Sequence, residues 1–234
     1  MSDHTDVNDA LAEAAVSEIE SGMLVGLGTG RTAKRGIRVL ADRVRDEKLE
    51  VACVCTSDGS ENLARDLGLT VIEFAVNERP VDYMFDGANE IDRELRVLKG
   101  SNGAVTRERL VAFASHKVVY MVDENKVVDR LGTHNTLCVA VIPFGLASVR
   151  SELRSRGLIG VVRRDINGQF FISDNGNMVL DLTIPDSSDL EELAYTLNDI
   201  PGIVDHGLFL TEADEILIES DSGLERLVRQ PDPA

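Results

Sequence analysis

Between residues 23 and 122, short apolar runs alternate with segments of helical apolar spacing, and this alternation limits the fold more than any other feature of the chain. Runs at 23–27, 49–55, 69–74, 81–85 and 117–122 read as strands, and 10–19, 32–44, 60–67 and 103–115 read as helices, with Gly22 and Gly68 as stops. Buried strands separated by helices predict an α/β fold with a mainly parallel, Rossmann-like sheet covered on both faces. After Leu131 the rhythm changes. A strand at 137–142, a helix at 148–156, a strand at 158–164, a hairpin over 170–182, a helix at 190–197 and a strand near Ile203 form a smaller α+β unit of split βαβ, ferredoxin-like type. A strand at 216–218 and a terminal helix at 223–228 then return to the first unit. The expected organisation is a discontinuous α/β catalytic domain, 1–132 and 207–234, with a smaller α+β domain, 133–206, inserted in it.

The formal charge of −17, from 41 acidic and 24 basic residues, opposes general affinity for nucleic acid or an anionic membrane surface. An anionic substrate therefore needs a local positive site. Only five of the basic residues are lysines (Lys34, Lys48, Lys99, Lys117, Lys126), and an acid-rich, lysine-poor surface fits a halophilic protein kept soluble in concentrated salt. No apolar run approaches a membrane span. Met1 to Asn8 are polar and acidic, unlike a signal peptide, which predicts a cytoplasmic location. Cys53, Cys55 and Cys138, and His4, His116, His134 and His206, have no metal-site spacing and are expected to be buried thiols and surface imidazoles, with no metal bound.

Two stretches have the equipment for chemistry on a small anion. Gly26-Leu27-Gly28-Thr29-Gly30-Arg31-Thr32 lies between a strand and a helix and is neither a dinucleotide fingerprint nor a Walker loop. It is either a tight connection or a phosphate seat of free N–H groups and threonine hydroxyls, to which Arg31 adds a bidentate contact or from which it turns to solvent. Phe85-Asp86-Gly87-Ala88-Asn89-Glu90, followed by Leu98 to Glu108, brings carboxylates, one ammonium and small-residue turns together. Asp86 and Glu90 are either solvated acids or site groups. Glu108 falls at a helix start, where the dipole favours a carboxylate even without a function. Lys99 is either a surface lysine or a point charge aimed at an oxyanion. Thr56-Ser57-Asp58-Gly59-Ser60 is expected to cap a helix through Asp58 or Ser60 and to face the same crevice as Thr29. Asp174-Asn175-Gly176-Asn177 reads as a hairpin turn outside the site.

Taken together these blocks resemble the ribose-5-phosphate isomerases of the A type. The family's patterns G-x-G-T-G-S-T, D-G-A-D-E, K-G-x-G-A-x-T-x-E-K and D-N-G-N match, in order, Gly26 to Thr32, Asp86 to Glu90, Lys99 to Arg109 and Asp174 to Asn177. Val122 to Val128 and Ile200 to Val204 also look like family segments, so the resemblance covers nearly the whole chain. It implies interconversion of D-ribose 5-phosphate and D-ribulose 5-phosphate through an enediolate, without metal or organic cofactor, by a homo-oligomer, dimeric or tetrameric. It further implies Glu108 as the general base, Lys99 as the oxyanion stabiliser and Asp86 as an acid for ring opening and hydroxyl binding. Thr29, Gly30, Arg31, Thr32, Gly87, Ala88, Asn89, Gly100, Ser101, Asn102 and Lys126 match substrate-binding positions.

Four departures accompany the resemblance. Asn89 stands where the family has a second aspartate, and an amide cannot act as a base. Arg31 replaces the serine of the glycine turn, and Ser101 and Asn102 replace glycines after the lysine. An early helical lysine is replaced by Asn8 or Asp9, with Arg31 as a substitute charge. These departures keep two alternatives in view, a paralogue acting on a related sugar phosphate and a non-catalytic phosphosugar-binding protein. Retention of Asp86, Lys99 and Glu108 favours an enzyme, and the lack of a histidine near the motifs disfavours an aminosugar-phosphate deaminase.

Overall fold

The computed structural model describes residues 9–230, so Met1 to Asn8, including His4, lie outside the described residues. The chain runs α1 (Ala10–Val16), β1 (Leu24–Leu27), α2 (Arg31–Asp46), β2 (Ala52–Cys55), α3 (Asp58–Asp66), β3 (Thr70–Val71), β4 (Tyr83–Gly87), β5 (Glu90–Ile91), β6 (Val97–Leu98), α4 (Val105–Phe113) and β7 (Val118–Asp123). It continues with β8 (Leu137–Val141), α5 (Leu146–Ser155), β9 (Gly160–Val162), β10 (Met178–Leu182), α6 (Leu190–Asn198), β11 (Ile203–His206), β12 (Leu208–Phe209), β13 (Glu215–Ser220) and β14 (Gly223–Val228). No helix among the described residues is long and apolar enough to cross a membrane.

Seven strands form the main sheet in the order β14-β13-β7-β4-β1-β2-β3, parallel except for β14 against β13. The period-two alternation of each strand divides its side chains between two apolar layers. Val25, Leu27, Phe85, Met121 and Leu217 face Leu11, Val16, Ile37 and Leu40 of α1 and α2. Leu24, Met84, Tyr120 and Ile216 face the opposite way, toward Val111 of α4.

The four-stranded sheet has the order β11-β8-β10-β9 and is antiparallel throughout, the arrangement expected for a split βαβ unit. Leu137, Val139 and Val141 of β8 pack with α5 and α6, while Cys138 and Ala140 join the layer over the main sheet. A third sheet, β12-β6-β5, lies at this seam and is too short to announce itself in the sequence. Its strands register Leu98 against both Glu90 and Leu208.

Several expectations need correction. The segment 223–228 is a strand, not a helix. Leu224, Leu227 and Val228 have helical spacing, but Gly223 at φ 122° closes a turn that pairs Ile216 with Leu227. Only 178–182 of the expected hairpin forms a ladder strand; it pairs with β8 and β9, while Ser173 and Asn177 close the turn. The cap of α3 is Ser57, whose hydroxyl accepts the Ser60 N–H, rather than Asp58 or Ser60. Cys53 and Cys138 are buried, but Cys55 is half-buried. His206 is a buried imidazole, with Nδ1 accepting the Leu208 N–H, whereas His116 and His134 are exposed.

Gly207 joins the units: its carbonyl accepts the Lys99 N–H at 2.8 Å and its N–H donates to Cys138 at 2.8 Å. A Cβ at this position would lie 2.2 Å from the Lys99 carbonyl oxygen, a backbone atom that cannot turn away. Gly207→Ala is therefore expected to destabilise the protein by more than about 2 kcal/mol, measured by urea unfolding. An unchanged unfolding midpoint would show that the seam yields freely.

Candidate active site

The carboxyl ends of β1 and β4 meet at the start of α2, and the close approach depends on glycine. A Cβ on Gly28 would lie 2.2 Å from the Asp86 carboxyl group, and Gly30 adopts φ 105° as the residue before the helix. No side chain caps α2. Its first N–H groups, from Arg31 to Ala33, thus point out of the helix end as an anion seat. Thr29 contributes differently from expectation. Its N–H donates to Asp86 Oδ1 at 2.9 Å, and its hydroxyl bonds Thr56 (2.7 Å) and Ser57 (2.8 Å). The Thr56 to Ser60 turn supports Thr29 in this way but does not line the cavity in front of it.

At the floor lies a buried group of three charges. Lys99 Nζ is 2.8 Å from Asp86 Oδ2 and 3.3 Å from Glu108 Oε1, and donates to the Gly87 carbonyl at 2.5 Å. Asp86 Oδ1 accepts the N–H groups of Thr29 and Gly87, which ties both glycine-containing turns to one carboxylate. Glu108 sits in the first turn of α4 with Oε2 unpartnered. Burial pushes its carboxyl up to about 8; Lys99 opposes this shift and Asp86 reinforces it. Burial raises Asp86 too, against Lys99 and its two N–H donors. Desolvation pulls Lys99 down, but Asp86 and Glu108 together outweigh it and hold the ammonium charged.

Above this floor is a cavity of about 250 Å³, suited to a small ligand. Thr29, Gly30, Arg31, Thr32, Gly87, Ala88, Asn89, Gly100, Ser101, Asn102 and Lys126 line it together with Lys99 and Glu108. Asp86 lies behind Lys99, with no exposed surface, and reaches the cavity through that ammonium. Neither Arg31 nor Lys126 forms an ion pair with a described residue, so two cations are free at the cavity in a strongly acidic protein.

The loop after Lys99 is held from the inserted segment. Arg163 donates to the Gly100 and Ser101 carbonyls, each at 2.9 Å, while Asp181 grips its other nitrogens. The Asp174 to Asn177 turn stays outside the cavity, where Asp174 accepts the Asp58 N–H and Asn175 accepts from Arg107. Asp9 caps α1 and pairs with Arg35 and does not line the cavity; Asn8 lies outside the described residues.

Two further residues stand apart from the sequence expectations. Glu90 is buried and serves as an acceptor for the 132–135 loop rather than lining the cavity. Asn135 lines the cavity but carries no signal in the sequence, because it ends a polar stretch that reads only as a connection. Among the described residues no group of three or more His, Cys, Asp or Glu could hold a metal ion.

The family model for Ribose 5-phosphate isomerase A (phosphoriboisomerase A) matches residues 52–223. The chain belongs to this family. It is 39% identical to the ribose-5-phosphate isomerase A of Chlamydia muridarum over 213 residues, covering 91% of this chain and 88% of that one. Identity to the Gluconobacter oxydans enzyme is 41% over 216 residues, with 92% and 93% covered. Among solved structures, the family member from Methanocaldococcus jannaschii superposes with a TM-score of 0.88 at 35% identity, covering 94% of this chain and 97% of that one. The Plasmodium falciparum isomerase gives 0.90 at 31% identity, with 94% and 97% covered. The family match runs from β2 through β13 and the whole four-stranded sheet, and it includes the segments that carry Asp86, Lys99 and Glu108.

Glu108 predicts a pH-dependent stability. Its carboxyl is protonated in both folded and unfolded states below its ordinary value of 4.5, and ionised in both above about 8. Between these limits the folded state binds the extra proton, so this group's contribution is fully present at low pH and is lost as pH rises. Glu108→Gln should remove that loss. Its thermal midpoint, relative to the unmodified protein, is expected to rise from pH 5 to pH 8.5 by at least ~3 °C, the shift that about 1 kcal/mol produces in a chain of this size. A difference that is constant with pH would remove Glu108 as the titrating group.

Proposed function

We propose that this chain interconverts D-ribose 5-phosphate and D-ribulose 5-phosphate, with Glu108 moving the proton and Lys99 holding the oxygens. The observation that carries the reading is one cavity in which a buried carboxylate poised near neutrality and a charged ammonium lie together below an open helix end. A base with a pKa near the working pH accepts and returns a proton efficiently. Glu108 takes the proton from C2 of the open-chain aldose, and the C–H electrons form the C1–C2 double bond of an enediolate. Lys99 stabilises the charge that develops on the carbonyl oxygen. Glu108 then delivers the proton to C1 while the proton of the C2 hydroxyl is transferred to O1, which leaves the ketose.

Asp86 acts through Lys99, keeping the ammonium charged and aimed, and any proton it supplies for ring opening passes along the same contact. The phosphate is assigned to Thr29, Gly30, Arg31 and Thr32 at the start of α2, with Lys126 as a second cation. Gly87, Ala88, Gly100, Ser101 and Asn102 close the cavity around the sugar, and Asn89 serves as a hydrogen-bonding amide. A relative described as D-ribose-5-phosphate isomerase in complex with phospho-erythronic acid, 29% identical at a TM-score of 0.90, supports a small phosphorylated polyol acid as a ligand for that relative. A cytoplasmic location accords with this reading, as does a homo-oligomer. Exposed Val161, Phe170 and Ile172, on and beside the edge strand β9, are the apolar surface offered for self-association. Light scattering on the purified protein is expected to give a dimer or tetramer, and a monomer would end that part of the proposal.

Turnover of ribose 5-phosphate in molar salt is expected to exceed turnover of other aldose phosphates. Glu108→Gln should lose roughly 10²–10⁴-fold in kcat, together with exchange of the C2 proton with solvent. Arg31→Ser should raise KM about tenfold with kcat little changed, as for loss of a charged hydrogen bond to phosphate. Exchange at the normal rate in Glu108→Gln would sink its assignment as base, and an unmoved KM in Arg31→Ser would remove Arg31 from the phosphate seat.

A further inference from the structure

Glu90 is buried next to the cavity, and its carboxylate gathers an unusual set of donors. The backbone N–H groups of four consecutive residues reach it: Gly132 at 2.6 Å and Thr133 at 3.2 Å on Oε2, His134 at 2.7 Å and Asn135 at 2.6 Å on Oε1. The side-chain Nδ2 of Asn135 adds a fifth bond at 3.0 Å. A loop whose successive N–H groups converge on one carboxylate takes its shape from that carboxylate. Glu90 is itself fixed, because β5 registers it against Leu98, the residue before Lys99. The position of Asn135 is thus tied, through one side chain, to the strand that delivers the ammonium.

The clamp also decides which way the Asn135 amide points. A carboxylate accepts and does not donate, so the nitrogen must face Glu90. The oxygen is left free: Oδ1 of Asn135 has no partner among the described residues, and the half-buried residue lines the cavity. A carbonyl oxygen needs a donor, which a sugar hydroxyl supplies and a phosphate dianion does not. We infer that Asn135 is a further substrate-binding residue whose Oδ1 accepts a hydroxyl of the phosphosugar, and that Glu90 is the positioning residue that holds it there. The inference rests on the phosphosugar reading above and adds to it a contact that selects among sugar phosphates by their hydroxyl groups.

Binding separates this role from a structural one. Calorimetric titration of the wild-type protein and Asn135→Ala with D-ribose 5-phosphate, and separately with inorganic phosphate, should show the sugar phosphate weakened about 5- to 10-fold and inorganic phosphate unchanged. In turnover the same variant should raise KM and keep kcat. Glu90→Gln places an NH₂ group among N–H donors and is expected to weaken the sugar phosphate at least as much, again sparing phosphate. Adding Asn135→Ala to Glu90→Gln should then cost nothing further in sugar binding, because the contact is already lost. Unchanged sugar binding in Asn135→Ala, equal weakening of sugar phosphate and inorganic phosphate, or additive losses in the double variant would each overturn the inference. If Glu90→Gln does not fold, the two titrations of Asn135→Ala still decide. A wild-type protein that binds ribose 5-phosphate without converting it would remove the isomerase reading and leave this test intact.

Discussion

Lys99, Asp86 and Glu108 share one buried site with a single ammonium between two carboxylates, and the folded chain is arranged around that imbalance. Removing one partner of a buried ion pair costs about 3–5 kcal/mol, because a desolvated charge is left without compensation. Each member is therefore locked by the others, and each comes from a different element: the end of β4, the residue after β6 and the first turn of α4. Asp86 takes two backbone N–H donors in addition to Lys99, whereas Glu108 has one oxygen with no donor at all. Burial raises both carboxyl groups, and Glu108 is the one that lines the cavity.

The glycines around this group are required by contact rather than by flexibility. Gly28 lets β1 end against the Asp86 carboxyl group, and Gly207 lets the returning segment lie on the Lys99 backbone. Gly103 leaves room for the Phe171 ring from the inserted segment, whose Arg163 holds the preceding carbonyls. The α+β unit thus helps to shape the cavity without supplying a charged group to its floor. It holds the loop after Lys99 in shape, and Arg109, on the same turn as Glu108, binds Asp205 and the His206 carbonyl on the other side of the seam.

Much of this was legible in the order of residues. Apolar runs and helical spacing located six of the seven strands of the main sheet, because burial on two faces imposes a strong local pattern. The resemblance carried by the motif blocks pointed to almost every residue that lines the cavity, whereas the residue types by themselves left each of them open. The misreadings share a cause. Residues 223–228 have an apolar spacing that suits a helix, and only the presence of β13 beside them makes a strand better. The Thr29 hydroxyl looked available until Thr56 and Ser57 were brought within hydrogen-bonding reach.

Local chemistry in the sequence determined most of the element types, the capacity for an anion seat at the start of α2 and the set of titratable groups. Tertiary structure alone decided that burial raises both Glu108 and Asp86, that Asp86 lies behind Lys99, and that Glu90 serves a loop more than forty residues away and thereby brings Asn135 to the cavity. The reason is physical: propensity and periodicity act over a few neighbouring residues, whereas burial, charge pairing and hydrogen-bond satisfaction are set by whatever the fold places within about 3 Å.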